Sequence, residues 1–342
     1  MDGVIINDKI DIIVPWVDGS DPAWMKEREE CRLKYGAEEK SISNIRFQSW
    51  DNLHYWFRAI EKFMPWVNKI FFVTWGHIPQ FLKSNHSKIR ILRHEDYIPK
   101  QYLPTFNSNT IEMNYHRIRD LSENFIIFND DTFPLQPIEE TYFFRENVVC
   151  DEAVEGHITP VEVGAISNMA RYVQVNNMII INRHFKKREV QSKNWDKWYC
   201  DDYGELLERT KSLQYWYDFA GFRDPHMASA MKKSTLSHIW KVEGEALERA
   251  SKNHFRAHTD VSQYLIRYWQ LCSGEFYPRR TLGKFYQVDI ENYKEVAKDI
   301  EGQKYQMISI NENCSMDEFE IIKKRINEAF DRILPEKSDY EK

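Results

Sequence analysis

The chain has 342 residues, of which 42% are hydrophobic and 14% aromatic, so it can bury a large core and is not globally disordered. Lys and Arg number 47 against 53 Asp and Glu, a net charge of -6, which excludes a strongly basic nucleic-acid binder. The longest early apolar run, Ile10 to Val17, is too short to span a bilayer and lacks the basic flank and small-residue cleavage site of a signal peptide. The five cysteines (Cys31, Cys150, Cys200, Cys272, Cys314) are widely spaced with no Cys-x-x-Cys pair. That usage predicts buried, unreactive thiols and a cytoplasmic protein without disulfides or structural zinc.

In chain order, Lys9 to Pro15 is a short β-rich run that ends in the turn Asp18-Gly19-Ser20-Asp21-Pro22. From Asp51, apolar residues at Leu53, Trp56, Phe57, Ile60 and Met64 mark one face of a helix, stopped by Pro65. Lys69 to Trp75 and, more weakly, Lys88 to Leu92 read as buried strands. Asn109 is placed to cap a helix running through Ile111, Tyr115 and Ile118, with Glu112 at its third position. Phe125 to Phe128 is another buried strand, closed by Asn129-Asp130-Asp131. Tyr172 to Phe185 fits either a helix or extended chain. Lys193 to Asp224 is unusually aromatic, as expected of an inserted packed segment or of a lid over a sugar acceptor. Asp260 is placed to cap a helix through Val261, Leu265, Tyr268 and Trp269 that stops at Gly274. Ser315-x-x-Glu318 is a capping box before an amphipathic C-terminal helix expected to pack on the core.

Strands alternating with helices predict an α/β fold with a mostly parallel sheet, in which ligands bind beyond the carboxyl ends of the strands. Three segments fall there: Pro15 to Pro22, Thr74 to His77, and Asn129 to Asp131. Phosphate-loop, dinucleotide, nucleophile-elbow and His-Glu-x-x-His motifs are all missing from the sequence. What remains is a set of carboxylates. Asp130 and Asp131 present hard oxygen ligands suited to Mg²⁺ or Mn²⁺ shared with substrate phosphates, with Asp18 and Asp21 as a further ligand or a ribose contact. The alternative is ordinary turn capping.

The segment Asp11 to Pro22 resembles the first conserved region of the Stealth family. The second region is matched by Arg46-Phe47, Trp50 to Leu53, Phe72 to His77, Leu103 to Ser108, Ile111-Glu112, His116 to Ile118, Leu121 to Glu123 and Phe128 to Asp131. Pro225-His226-Met227 with Lys233 to Leu236 resembles the third, with Ala228 where the family commonly has Pro. Asn253 to Arg256, leading into Asp260 and Leu265 with a trailing strand at Tyr305 to Asn311, resembles the fourth.

The resemblance implies a Rossmann-like (GT-A-like) α/β fold with a more helical C-terminal part. Residues 1–150 would bind a nucleotide sugar, 151–315 would complete the site around the aromatic insertion 193–224, and 316–342 would form the terminal helix. It implies transfer of a sugar 1-phosphate from a nucleotide-diphosphate sugar, commonly UDP-linked, to a glycan hydroxyl in capsular or exopolysaccharide synthesis. The products are a phosphodiester and UMP. His226 is the expected base and Asp131 its alternative; Asp18, Asp130 and Asp131 are the expected Mg²⁺ or Mn²⁺ ligands. Arg46 and Arg256 are expected on phosphate oxygens, or as loop braces. Trp16, Asp18, Asp51, Asn52, Asn107 and Glu112 are expected on the donor, with Glu112 alternatively a mere capping partner. The acceptor would be a growing polymer or a lipid-linked glycan met by peripheral contact with the inner membrane surface. Two other readings are a conventional glycosyltransferase releasing UDP and a non-catalytic polysaccharide-binding protein.

Overall fold

The apolar runs at 10–15, 70–74 and 124–127 become adjacent parallel strands because each is covered on both faces and can bury nearly every side chain. The computed structural model describes residues 8–37, 49–159 and 166–342. The first half contains β1 (Ile10–Pro15), α1 (Pro22–Tyr35), α2 (Leu53–Phe63), β2 (Ile70–Thr74), β3 (Ile89–Arg93), α3 (Ser108–Met113), β4 (Asn124–Ile127), β5 (Thr132–Pro134), β6 (Phe144–Arg145) and β7 (Val148–Asp151). There follow α4 (Ile166–His184), α5 (Lys187–Lys193), α6 (Trp195–Trp198), α7 (Leu207–Leu213), β8 (Ser229–Lys232), α8 (Lys233–Val242), α9 (Gly244–Ser251) and α10 (Tyr264–Ser273). The chain continues through β9 (Phe276–Pro278), β10 (Lys284–Val288), α11 (Tyr293–Glu301), β11 (Met307–Glu312) and α12 (Met316–Ile333).

The main sheet has the order β3-β2-β1-β4-β8, parallel except for β8, and the chain reverses direction across the sheet between β1 and β4. Two smaller sheets, β10-β11-β5 and β6-β7-β9, join residues from both sides of position 150. The capping box at Ser315 and Glu318 is formed, and α12 buries Phe319, Ile322, Ile326 and Phe330 against the core. The ring of Phe330 lies 4.5 Å from Phe133 of β5. All five cysteines are free thiols, and burial raises the pKa of each.

Four local expectations change. Asp21-Pro22 does not merely turn the chain: Asp21 accepts from the Ala23 and Trp24 amides and starts the 14-residue α1 with Pro22 in its first turn. Only Trp24 and Cys31 of α1 are buried, so it shows little apolar periodicity. The helix expected from Asn109 is capped instead by Asn107 and ends at Met113. There the Asn114 side chain donates to the Thr110 carbonyl (2.8 Å) and accepts from Arg117 (2.9 Å), competing with further helix. Glu112 is therefore in the last turn and caps nothing. Asp260 does not cap α10, which begins at Tyr264; it accepts from the side-chain amides of Asn107, Asn109 and Asn253 and from the Ala257 amide. Residues 172–184 are helical, within α4.

Candidate active site

The order reversal at β1 and β4 opens a crevice at the carboxyl ends of these two strands, where open α/β sheets bind ligands. Ile13 pairs with Ile127, so the loops that follow carry Asp18 and Asp130-Asp131 out of the same edge. β8 runs the other way, with Ser229 opposite Ile127. A chain entering β8 therefore passes the same edge, three residues before Ser229, at His226. Strand pairing alone delivers a histidine from the second half to the acids of the first.

The β1 side is wired internally. The Asp18 amide donates to His77 Nε2 (2.8 Å), and His77 Nδ1, buried without a hydrogen-bond partner, lies 3.4 Å from Asp21 Oδ2. Burial holds the His77 imidazole below its ordinary pKa, with Asp21 opposing. Asp18 Oδ1 accepts from both the amide (2.9 Å) and the hydroxyl (2.6 Å) of Ser20. The Trp16 ring sits tilted against Phe72 (5.6 Å) and edge-on to His77 (5.1 Å), beside this loop.

The β4 and β8 side differs in its carboxyl groups. Asp130 has its carboxyl raised to about 7, first by burial and then by the charge of Asp131. Asp131 accepts from Thr132 Oγ (3.1 Å) and Ser309 Oγ (3.3 Å), and its Oδ2 lies 3.6 Å from His226 Nε2. That distance is too long for a hydrogen bond, and His226 Nε2 is buried without a partner. His226 itself sits at φ 50°, a left-handed conformation uncommon for a non-glycine residue. The Phe285 ring lies 4.7 Å from its imidazole. Gly283 permits this close approach: its φ is +140°, and a Cβ there would fall 2.9 Å from Met227 Sδ and the Met307 carbonyl.

Glu112 is only 7% exposed, and burial raises its carboxyl to about 7, opposed by the nearby positive charges of Arg256 and His226. Arg256 is exposed and donates from Nε and Nη2 to Ser108 Oγ at 3.2 and 2.7 Å, which anchors it at the start of α3. Tyr264, which the sequence reading passed over, belongs to the same cluster. Burial and then Asp224 raise its phenol, with Glu112 and Asp131 adding to the effect.

Beneath His226 is a dry ionic wall. Arg267, 1% exposed, makes a bidentate pair with Asp151 (2.7 and 3.0 Å) and donates to the carbonyls of Glu152 and Arg223. Asp224, two residues before His226, accepts from Tyr268 (2.6 Å) and Gln174 (3.0 Å). No motif marks these residues; their only signal in the sequence is charge inside otherwise apolar stretches.

Other expected residues lie elsewhere or are otherwise engaged. Asn107 is fully buried, and its side chain holds the 253–260 loop through the carbonyls of Asn253 and Phe255 and the carboxylate of Asp260. Asp51 is exposed and pairs with Lys323 of α12 and with Ser49. Asn52 precedes α2, buried, with Nδ2 unpartnered. Arg46 lies outside the described residues.

The chain matches the family profiles for Stealth protein CR1, conserved region 1, over residues 8–36 and Stealth protein CR2, conserved region 2, over residues 46–152. It is 38% identical over 336 residues, 98% of each chain, to the capsular polysaccharide phosphotransferase WcwK of Streptococcus pneumoniae. The chain belongs to the Stealth family. The exopolysaccharide phosphotransferase cps2G of Lactiplantibacillus plantarum is 36% identical, covering 97% of this chain and 96% of its own. The receptor polysaccharide phosphotransferase WefC of Streptococcus oralis is 33% identical, covering 97% and 99%. This Stealth protein is a phosphotransferase. The CR1 match contains the wired β1 loop, and CR2 carries Glu112 and both aspartates of the β4 loop.

Among the described residues, no three carboxylate, imidazole or thiolate groups converge as a metal cage. The donor set nonetheless suits a divalent cation shared with a substrate. Asp130 and Asp131 are adjacent, and their mutual repulsion helps raise Asp130.

Proposed function

We propose that this Stealth protein transfers a sugar 1-phosphate from a nucleotide-diphosphate sugar, UDP-linked, to a hydroxyl of a capsular or exopolysaccharide acceptor. The observation that carries the reading is His226 Nε2, buried and unpartnered, 3.6 Å from Asp131 and facing the Asp130 loop. An imidazole takes up and returns a proton near neutral pH, which suits deprotonation of an incoming hydroxyl. The acceptor oxygen attacks the sugar-side phosphorus as its proton passes to Nε2. The bond from that phosphorus to the oxygen bridging to the nucleoside phosphate breaks, and UMP leaves with the bridging oxygen.

Phosphoryl transfer needs positioning and charge neutralisation more than covalent help. Asp130 and Asp131 would hold Mg²⁺ or Mn²⁺, which supplies positive charge to the diphosphate oxygens when bound. Arg256 is exposed at the crevice rim and offers its guanidinium to the same oxygens. Trp16 and the remaining oxygen of Asp18 line the nucleoside side. Glu112, with its carboxyl at about 7, is substantially protonated near neutrality and can donate to a phosphate oxygen or sugar hydroxyl.

The test is incubation with a panel of nucleotide sugars, Mg²⁺ and glycan acceptors, followed by mass spectrometry of the released nucleotide. UMP with an acid-labile phosphodiester product supports the reading. UDP release would make the protein a conventional glycosyltransferase, and absence of turnover across the panel would make it a binder.

A further inference from the structure

From Arg171 to Arg188 the chain carries five Lys or Arg residues and no Asp or Glu, although acids outnumber bases overall by 53 to 47. This stretch forms most of α4 and the start of α5. On the outer face of α4, Tyr172, Val175 and Ile179 follow helical spacing and are 44%, 41% and 54% exposed. Val175 and Ile179 line an open groove of about 600 Å³ with Ile158, Met178 and Ala220, and Asn182 and Arg183 close its polar edge.

Three more exposed aromatics lie alongside. Tyr215, Trp216 and Tyr217 are 82%, 55% and 72% exposed, a cost in water that three consecutive rings rarely bear without a partner. The aromatic segment 193–224 thus divides in two: Trp198, Tyr203, Phe219 and Phe222 are buried, while 215–217 face outward. The outward strip is fastened beside α4 and α5. Lys187 Nζ donates to the Leu213 carbonyl, Asn182 exchanges two hydrogen bonds with the Phe219 backbone, and the Arg188 guanidinium lies 5.9 Å from the Tyr217 ring centre. Arg183 is paired with Glu243, whereas the exposed Lys186 and Arg188 have no ion pair among the described residues. The nearest acids in sequence are Glu189 and Asp218, at the ends of the two strips.

We propose that this face docks on an anionic lipid surface, with the aliphatic groove and the three aromatics in the interfacial layer and Lys186 and Arg188 on lipid phosphates. An aliphatic groove flanked by Trp, Tyr and unpaired cations matches the chemistry of a bilayer interface. A polar glycan has no use for Val175, Ile179 and Ile158. No helix among the described residues is long and apolar enough to cross a membrane, so this contact is peripheral. The flanks of the same helix, either side of Val175, hold the reaction loops: Gln174 donates to Asp224, and Asn176 donates to the carbonyls of His258 and Asp260. Docking α4 would therefore place the crevice beside the membrane. The inference deepens the transferase reading by making the acceptor lipid-linked, but the docking itself does not depend on turnover.

The test is cosedimentation of the full chain with phosphatidylcholine vesicles, with and without phosphatidylglycerol, in the absence of donor. The expected result is binding to the anionic vesicles that weakens as salt is raised. It should fall about tenfold or more in Lys186→Glu/Arg188→Glu, since each cation near such a surface contributes roughly 1 kcal/mol and reversal adds repulsion. A separate pair, Ile179→Asp and Trp216→Ser, should weaken it through the apolar contact. All four positions are exposed, so folding is checked by circular dichroism and the two sets fail independently. Nucleotide release with a water-soluble acceptor should be unchanged in every variant. No preference for anionic vesicles, or binding unaltered in both sets, overturns the proposal. So does loss of soluble-acceptor turnover with vesicle binding intact, which would make the face a glycan platform. Failure of turnover in the parent protein with vesicle binding preserved would count against the transferase reading alone.

Discussion

The two sides of the crevice are built on opposite principles. On the β1 side, Asp18 and Asp21 spend their carboxylates on Ser20 and on their own backbone, and the Asp18 amide fixes His77, whose Nδ1 has no hydrogen-bond partner but faces Asp21. On the β4 and β8 side, Asp130 and Glu112 have displaced carboxyl pKa values and His226 Nε2 has no partner. A folded chain tolerates unsatisfied buried groups only where something repays them, and a ligand that completes them does so. The wired side sets shape, and the unwired side is left for chemistry.

His226→Ala is the hardest test of that division. Losing the proton acceptor should lower kcat about 10³-fold, with thermal stability nearly unchanged because no hydrogen bond is broken. A large drop in Tm would mean His226 is structural. Arg267→Met leaves Asp151 buried and unpaired and should cost about 3–5 kcal/mol in urea unfolding. If instead it changed only KM, the wall beneath His226 would belong to the ligand site.

Glu112→Gln sharpens the comparison through pH. The Glu112 carboxyl moves from an ordinary 4.5 to about 7 on folding, so between those values the native state holds a proton that the unfolded chain has released. Its contribution is intact below about pH 4.5 and is lost as pH rises through 7, by as much as about 3 kcal/mol. Unfolding at pH 5 and pH 8 should show the parent weakening with pH and the Gln variant weakening less, because Asp130 keeps its own slope, and more stable than the parent at pH 8. The smallest effect is expected for Asp18→Asn, about tenfold in donor KM with kcat little changed, the scale of one hydrogen bond. A fall in kcat matching that of Asp131→Asn would put Asp18 among the reacting groups and erase the contrast.

Part of this candidate site is legible in the sequence. Asp130 and Asp131 follow a short continuous apolar run bounded by turn residues, the pattern of a buried strand, whose end lies at a sheet edge. The motif around His226 resembles a known family region and points to that residue, whereas Glu112 reads equally as a capping partner of its own helix. Asn107, Asp51 and Asp260 were harder. Asn and Asp at such positions satisfy local capping rules equally well, and only the distant loop at 253–260 and α12 show which partners they take. Arg267 shows only as a charge inside an apolar stretch and Tyr264 not at all, because their partners come from three separate segments.

Local chemistry by itself settled four strands of the main sheet, β1 to β4, the capping box of α12 and the clustering of acids at strand ends, since each shows in a run of near neighbours; β8 leaves no such run. Only the tertiary structure decided that β8 enters antiparallel beside β4, because strand register is set by long-range pairing. That one choice brings His226 to Asp131 and turns two separate motifs into a single site.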